Sequence, residues 1–269
     1  MKTFILLVCI GFLFDKVNAQ LDYYQAGARS KSIADASVSL SDRWSGFNNP
    51  AAQAFLKEIS TGVYLENYFN IRQLNSCAFI LNYHPFSLNI YSFNNSSVYR
   101  RQRFGLAYAL AFSKTFSMGI SLDLIHTYVS EYGGNLSFCG EAGLFYMPVK
   151  KLSVGIYLNN PTLAKYSGKE NEKIPVSMRI GLAYKMTDFS VIVIETQNSS
   201  VSGFACKAGL EYNFLNDYSI RLGFRSNPMV STFGLAFRTK NLVLDMVLQY
   251  QQILDVSPGV SMDYIFKKF

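Results

Sequence analysis

Beyond residue 19, the chain offers two histidines, His84 and His126, and three cysteines, Cys77, Cys139 and Cys206, for metal or nucleophilic chemistry. Their spacing matches no metal-ligand pattern, and neither a Gly-x-Ser-x-Gly turn nor a phosphate-cradling glycine loop occurs. A hydrolase would need an acid and a serine beside His126, and nothing in the sequence places them there, so His126 reads as an interfacial polar residue. No enzymatic activity, cofactor or metal is expected. An odd number of cysteines without paired spacing also argues against a disulfide framework.

The remaining groups with chemistry are charges set between bulky apolar neighbours. Six acids (Glu66, Asp123, Glu141, Glu211, Asp245, Asp263) and six bases (Arg103, Arg179, Lys207, Arg221, Arg225, Arg238) fall at mid-strand positions on the small-and-polar face. An isolated charge in a low-dielectric interior is costly, so equal numbers of both signs point to pairing across neighbouring strands. A selective ion pore would show an excess of one sign at its constriction. A fatty-acid tunnel would need contiguous apolar lining, for which Ala107, Ala109, Ala111, Gly119, Gly155 and Gly181 supply little. Small residues there let another segment approach the wall closely.

The elements that position these charges show the period of a strand. In Phe104-Gly105-Leu106-Ala107-Tyr108-Ala109-Leu110-Ala111-Phe112, bulky apolar residues alternate with tiny ones, so two faces meet different media. About fourteen such strands are predicted, near 60–69, 76–83, 86–93, 103–112, 116–127, 138–147, 151–158, 176–185, 188–196, 204–214, 218–226, 231–238, 242–250 and 258–267. Short connections alternate with longer polar ones at 94–102, 128–137, 159–175, 197–203 and 251–257. With 18 Tyr and 22 Phe, many near strand ends, this rhythm predicts an all-β fold. It is a transmembrane antiparallel β-barrel of about 14 strands, with aromatic girdles and both termini on the periplasmic side of a Gram-negative outer membrane. A soluble β-sandwich is the alternative that alternation alone allows.

At the amino end, Lys2, the apolar run 4–14 and Val17-Asn18-Ala19 predict a signal peptide over 1–19. Cys9 lies inside that run without a lipobox. Taking Lys2, Lys16 and Asp15 out of 25 basic and 18 acidic residues leaves 23 and 17, a mild excess scattered along the chain. Nucleic-acid binding is not expected from such a pattern. Residues 20–58 cannot form a barrel strand, yet Ile33, Val38, Leu40, Trp44 and Phe47 need burial, so the segment is predicted to enter the lumen as a plug, with the barrel over 59–269.

Gly27-Ala28-Arg29, Asp42, Trp44, Phe47 and then Asn49-Pro50-Ala51, all ahead of the strands, resemble the entry segment of the FadL-like outer-membrane transporter superfamily, and most closely its PorV and PorQ branch in Bacteroidetes. Recurring pieces such as Gly105-Leu106-Ala107-Tyr108 and Gly181-Leu182-Ala183-Tyr184 also resemble that branch. The chain departs from it at Ile33-Ala34-Asp35-Ala36-Ser37-Val38-Ser39-Leu40, where the family shows a glycine-rich stretch. The resemblance implies fourteen strands, a luminal plug carrying Asn49, Pro50, Ala51, Trp44 and Asp42, and an accessory role in type IX protein secretion or surface cargo handling. Its partners would be outer-membrane lipid and secretion-translocon or surface-modification proteins. The alternative is a FadL-like channel for fatty acids or other hydrophobic small molecules. The expected lumen network is Asp123, Glu141, Arg179, Lys207, Glu211, Arg221, Asp245 and Asp263, and Tyr99, Arg100 and Arg101 form a candidate partner loop.

Overall fold

The computed structural model describes residues 25–95, 98–166, 173–215 and 217–268. The predicted signal peptide and the terminal Phe269 lie outside the described residues. Fourteen strands follow in order: β1 (Glu58–Asn67), β2 (Leu74–Tyr83), β3 (Phe86–Asn95), β4 (Tyr99–Ala111), β5 (Phe116–Val129), β6 (Gly133–Val149), β7 (Leu152–Asn159), β8 (Ser177–Lys185), β9 (Ser190–Ser199), β10 (Gly203–Phe214), β11 (Tyr218–Arg225), β12 (Val230–Arg238), β13 (Leu242–Gln251) and β14 (Asp255–Lys268). Each pairs antiparallel with the next, and β1 closes on β14 from Glu58↔Lys268 to Glu66↔Gly259. Closure removes both sheet edges, which a sandwich retains.

The pleat sorts side chains as the alternation requires. In β4, Arg101, Arg103, Gly105, Ala107 and Ala109 are buried, while Phe104, Leu106, Tyr108 and Leu110 are exposed. Leu65, Leu106, Leu122, Phe138, Ile194, Phe204 and Met246 are each more than half exposed around the circumference. Soluble monomers rarely expose contiguous apolar patches above roughly 300–600 Å², so this belt suits hydrocarbon. No helix among the described residues is long and apolar enough to cross a membrane.

The longer connections are reduced by the structure. β5 and β6 continue to the pair Val129↔Gly133, leaving a three-residue turn where 128–137 was expected as a loop. Tyr99, Arg100 and Arg101 belong to β4 and pair with both β3 and β5, so they are strand residues and not loop residues. Likewise β9 runs on to Ser199 and β14 starts at Asp255. The cause is common to all four: ladder hydrogen bonding continues past the apolar belt into water, where polar side chains no longer alternate with apolar ones. Among the described residues of the connection after β7, Pro161, Thr162, Leu163, Lys165 and Lys173 are exposed, while Asn160, Tyr166 and Ile174 are buried and the latter two pack on Ile125 and Cys139.

Residues 25–56 carry α1 (Ala28–Ser32), α2 (Ser45–Asn48) and a 3₁₀ helix over Pro50–Phe55. Helices this short are not stable alone, and here the wall holds them. Asn82, Asn89, Ser117, Ser153, Arg179, Lys207 and Thr232 each donate to a backbone carbonyl of the segment, and Glu195 accepts the Val38 N–H at 2.9 Å. These partners span the circumference, which puts the segment in the lumen. Wall glycines receive its bulk: a Cβ at Gly209 would stand 2.6 Å from Ile33 Cβ, and Gly155 and Gly181 face Val38. Gly209→Leu is therefore expected to destabilise the seated segment by about 1–3 kcal/mol. The measurement is limited proteolysis in detergent micelles. Residues 25–56 should become cleavable while the barrel keeps its heat-modifiable mobility, and unchanged protection would contradict the packing.

Candidate functional site in the lumen

Four charge clusters line the lumen, and three of them bond the segment to the wall. Arg103 on β4 donates to Asp123 at 3.0 Å and Glu141 at 2.7 Å, on the next two strands. Arg179 binds Glu195 through Nε at 2.6 Å and Nη2 at 3.0 Å, and Lys207 reaches the same carboxylate at 2.9 Å. Arg221 joins Glu211 at 2.6 Å and also pairs with Asp245. Arg29 completes this third cluster, binding Glu211 at 2.8 Å and Asp42 at 3.2 Å. Asp263 accepts the Trp44 indole N–H at 3.0 Å, with Arg43 at 3.9 Å and Glu58 beyond it on Arg43 at 2.6 Å.

Of the residues singled out from sequence, Asp123 and Glu141 thus meet around Arg103, Arg179 meets Lys207 around Glu195, and Arg221 holds Glu211 with Asp245. Glu66 accepts from Gln249 at 2.5 Å, and Arg225 reaches Asp35 at 3.2 Å. Sequence spacing does not assign Glu195, Asp35, Arg43 and Glu58 to the network, and it marks Arg29 only as part of the entry motif. Glu195 ends the run Val191-Ile192-Val193-Ile194, in which both faces are apolar and the phase is hidden. It shares its phase with buried Val193, and that was the available signal. The others lie in, or at the edge of, the irregular segment, where no period exists to read.

The motif residues have local reasons. Asn49 caps the 3₁₀ helix by accepting the Ala51 N–H, and its amide donates to Val38 O at 2.8 Å and to Leu144 O on β6 at 3.1 Å. Pro50 occupies the first helical position, where its missing N–H costs nothing. Asp42 accepts the Trp44 backbone N–H at 2.9 Å. Gly27 adopts φ +97°, and a Cβ there would collide with the Trp44 ring.

Above the segment, toward the longer connections, one side of the lumen is aromatic. Trp44 meets Phe47 at 5.9 Å and Tyr64 at 6.1 Å between ring centres. Ala78, Ile80 and Tyr91 belong to the same buried cluster. Tyr68 contacts Phe93 at 5.6 Å and shares a 3.1 Å hydrogen bond with the Tyr91 hydroxyl, and Phe93 contacts Tyr99 at 6.2 Å. Arg101 points inward, with its guanidinium over the Tyr99 and Tyr166 rings at 5.3 and 5.0 Å. Arg100 faces outward and His126 stands on the outward face beside Gln102 and Leu136. The inward set therefore does include contiguous apolar lining. The small residues singled out from sequence lie on β4, β5, β7 and β8, whereas the rings come from β1, β3 and the Tyr68–Asn70 turn. Among the described residues, no group of His, Cys, Asp and Glu could hold a metal ion.

Neither a family model nor a curated protein matches the chain. Solved structures do. The CymD monoaromatic hydrocarbon channel matches with a TM-score of 0.67 at 13% identity, over 93% of this chain and 99% of that one. The Pseudomonas putida toluene transporter TodX gives 0.62 at 12%, over 91% and 97%, and a Pseudomonas aeruginosa FadL homologue gives 0.65 at 11%, over 91% and 100%. The fold is similar to that of FadL-type outer-membrane channels. At these identities the likeness concerns the fold, and with it the resemblance to outer-membrane proteins.

Two predictions follow from the charge clusters. Breaking one buried partner leaves the other uncompensated, so Arg103→Met, which strips Asp123 and Glu141 of the cation they share, is expected to cost about 3–5 kcal/mol, and adding Asp123→Asn should recover part of that loss. Denaturant unfolding of the two variants in detergent checks this, and equal stability of single and double variants would contradict it. Asp35 lies in the segment, outside the strands. Burial raises its carboxyl, but Lys31, Lys207, Arg225 and Arg179 outweigh burial and hold it below the ordinary 3.8. A depressed folded value means that its contribution is complete above about pH 4 and is lost as pH falls through the folded value. Protease protection of residues 25–56 should therefore fall on acidification below pH 4 in the wild type. In Asp35→Asn it should start lower and change less over that range.

Proposed function

We propose that this protein is a non-enzymatic outer-membrane channel for hydrophobic small molecules, aromatic hydrocarbons among them, with both termini in the periplasm. The aromatic column carries this reading. It runs from Tyr99 and Phe93 through Tyr68, Tyr91 and Tyr64 to Trp44, and offers rings along the lumen where a sugar or ion pore would offer polar groups. Likeness in fold to a toluene transporter and a monoaromatic hydrocarbon channel supports the same class of ligand.

Residues 25–56 fill the lumen below the column, so movement of a ligand across requires this segment to shift. Its attachment through side-chain bonds to carbonyls and carboxylates, with no strand pairing to the wall, suits a part that detaches without opening the barrel. The secretion reading draws less support. Tyr99 to Arg101 lie in a strand, and Tyr166 and Ile174 of the connection after β7 pack on Ile125 and Cys139, which leaves less free surface for a protein partner than the sequence suggested.

Uptake of labelled toluene by cells of a heterologous host is the test. Expression should raise the initial rate several-fold over the empty vector, and Phe93→Arg, which puts a charge into the column, should return it to background with the barrel still assembled. Wild-type uptake equal to the control would overturn the reading. Loss of protein secretion in a deletion strain with uptake intact would favour the secretion role.

A further inference from the structure

The lipid-facing wall is not smooth. A groove of about 870 Å³ runs across its outer surface from β12 to β3, within the roughly 300–1,000 Å³ typical of small-molecule sites. It follows one row of cross-strand partners: Leu235↔Met246, Met246↔Val260, Val260↔Leu65, Leu65↔Cys77 and Cys77↔Ser92. Within this row Cys77 and Ser92 are small, whereas Leu235, Met246, Val260 and Leu65 are bulky. At Glu66↔Gly259, moreover, β1 and β14 part company, and β14 continues alone beside β13 through Pro258.

Strands of a barrel tilt roughly 35–45° from its axis, so a row perpendicular to them changes depth in the membrane. Leu235 stands three residues from the short-turn end of β12, whereas Ser92 stands three residues from the long-connection end of β3. The groove is therefore graded. Its deep part is Leu235, Met246, Leu248 and Val260, and its shallow part is Asn67, Asn75, Ser92 and Asn94. Two exposed cations flank the shallow end. Arg100 is the outward cross-strand partner of Asn94 and of Tyr128, and Arg72 accepts the Asn75 amide through its carbonyl at 2.7 Å. Glu66 borders the groove through β1, but its side chain is on the inward phase, buried and accepting from Gln249, and Asp255 sits at the far corner beside Gln251.

We propose that this groove binds one anionic membrane lipid from the leaflet at the long-connection end, an acyl chain lying along the apolar row and its phosphate held by Arg72, Arg100 and the asparagine amides. The occupant follows from placement and chemistry. A groove on the membrane face is filled by lipid or by another membrane protein, and the apolar-to-cationic gradient along its depth matches a lipid with a negatively charged head. Arg suits that head because its planar fork meets phosphate oxygens two at a time. The inference uses the membrane placement of the barrel and does not depend on what passes through the lumen.

The experiment is native mass spectrometry of the full chain, delipidated in detergent and titrated with phosphatidylglycerol or with phosphatidylcholine of identical chains. The wild type should retain one phosphatidylglycerol with at least tenfold preference. The double variant Arg72→Gln/Arg100→Gln should lose the preference, falling below twofold. Ser92→Phe, which fills the groove, should weaken retention of both lipids. Heat-modifiable mobility confirms that each variant is folded. Equal retention of the two lipids by the wild type, or an undiminished preference in the double variant, would overturn the proposal, as would a dimer whose formation excludes lipid. Toluene uptake is a separate readout, so failure of the channel reading would leave this result standing and distinguishable.

Discussion

The cost of burying charge inside a closed wall is the constraint on which the rest of this structure depends. Arg103, Arg179, Lys207 and Arg221 are among the largest fully buried side chains, and each would be prohibitive without a partner. The wall alone supplies carboxylates for all four, through Asp123, Glu141, Glu195, Glu211 and Asp245. What it does not supply is the remaining hydrogen-bonding capacity of these groups. Arg179 donates to Asn48 O and Asp35 O, Lys207 to Asp35 O, and Glu195 accepts from Val38 N. The inserted segment thus completes the charge network of the wall, and the network in turn gives two very short helices a fixed place.

Packing follows the same reciprocity. Where the segment is bulky, at Ile33 and Val38, the wall is glycine; where the segment bends under a ring, at Gly27, the ring belongs to Trp44 of the segment itself. On the side of β1 and β3 the wall offers rings instead, and the lumen above the segment becomes apolar.

The barrel was legible because a period of two is dictated by the pleat and survives any loop. Fourteen strands and their alternating connections could be placed from side-chain size alone, while their outer ends were misjudged at Tyr99, Val129 and Asp255 because hydrogen bonding outlasts the apolar belt. Charges in clean alternation, such as Asp123 and Glu141, announced themselves. Glu195 did not, because Val191 to Ile194 are apolar on both faces. The aromatic column was also invisible as such: Tyr64, Tyr91 and Phe93 are ordinary inward residues of separate strands, and only the barrel's curvature and the Tyr68–Asn70 turn bring them together. That the column meets Trp44 of the inserted segment depends on a path that no periodicity specifies.

The most direct measurement is a high-resolution structure of the protein in lipid nanodiscs equilibrated with a bromine-labelled aromatic hydrocarbon. Bromine signal is expected in the lumen against Tyr64, Tyr91 and Phe93, above an intact inserted segment. Signal confined to the outer surface, or an aqueous column beside these rings with no bound hydrocarbon, would contradict it.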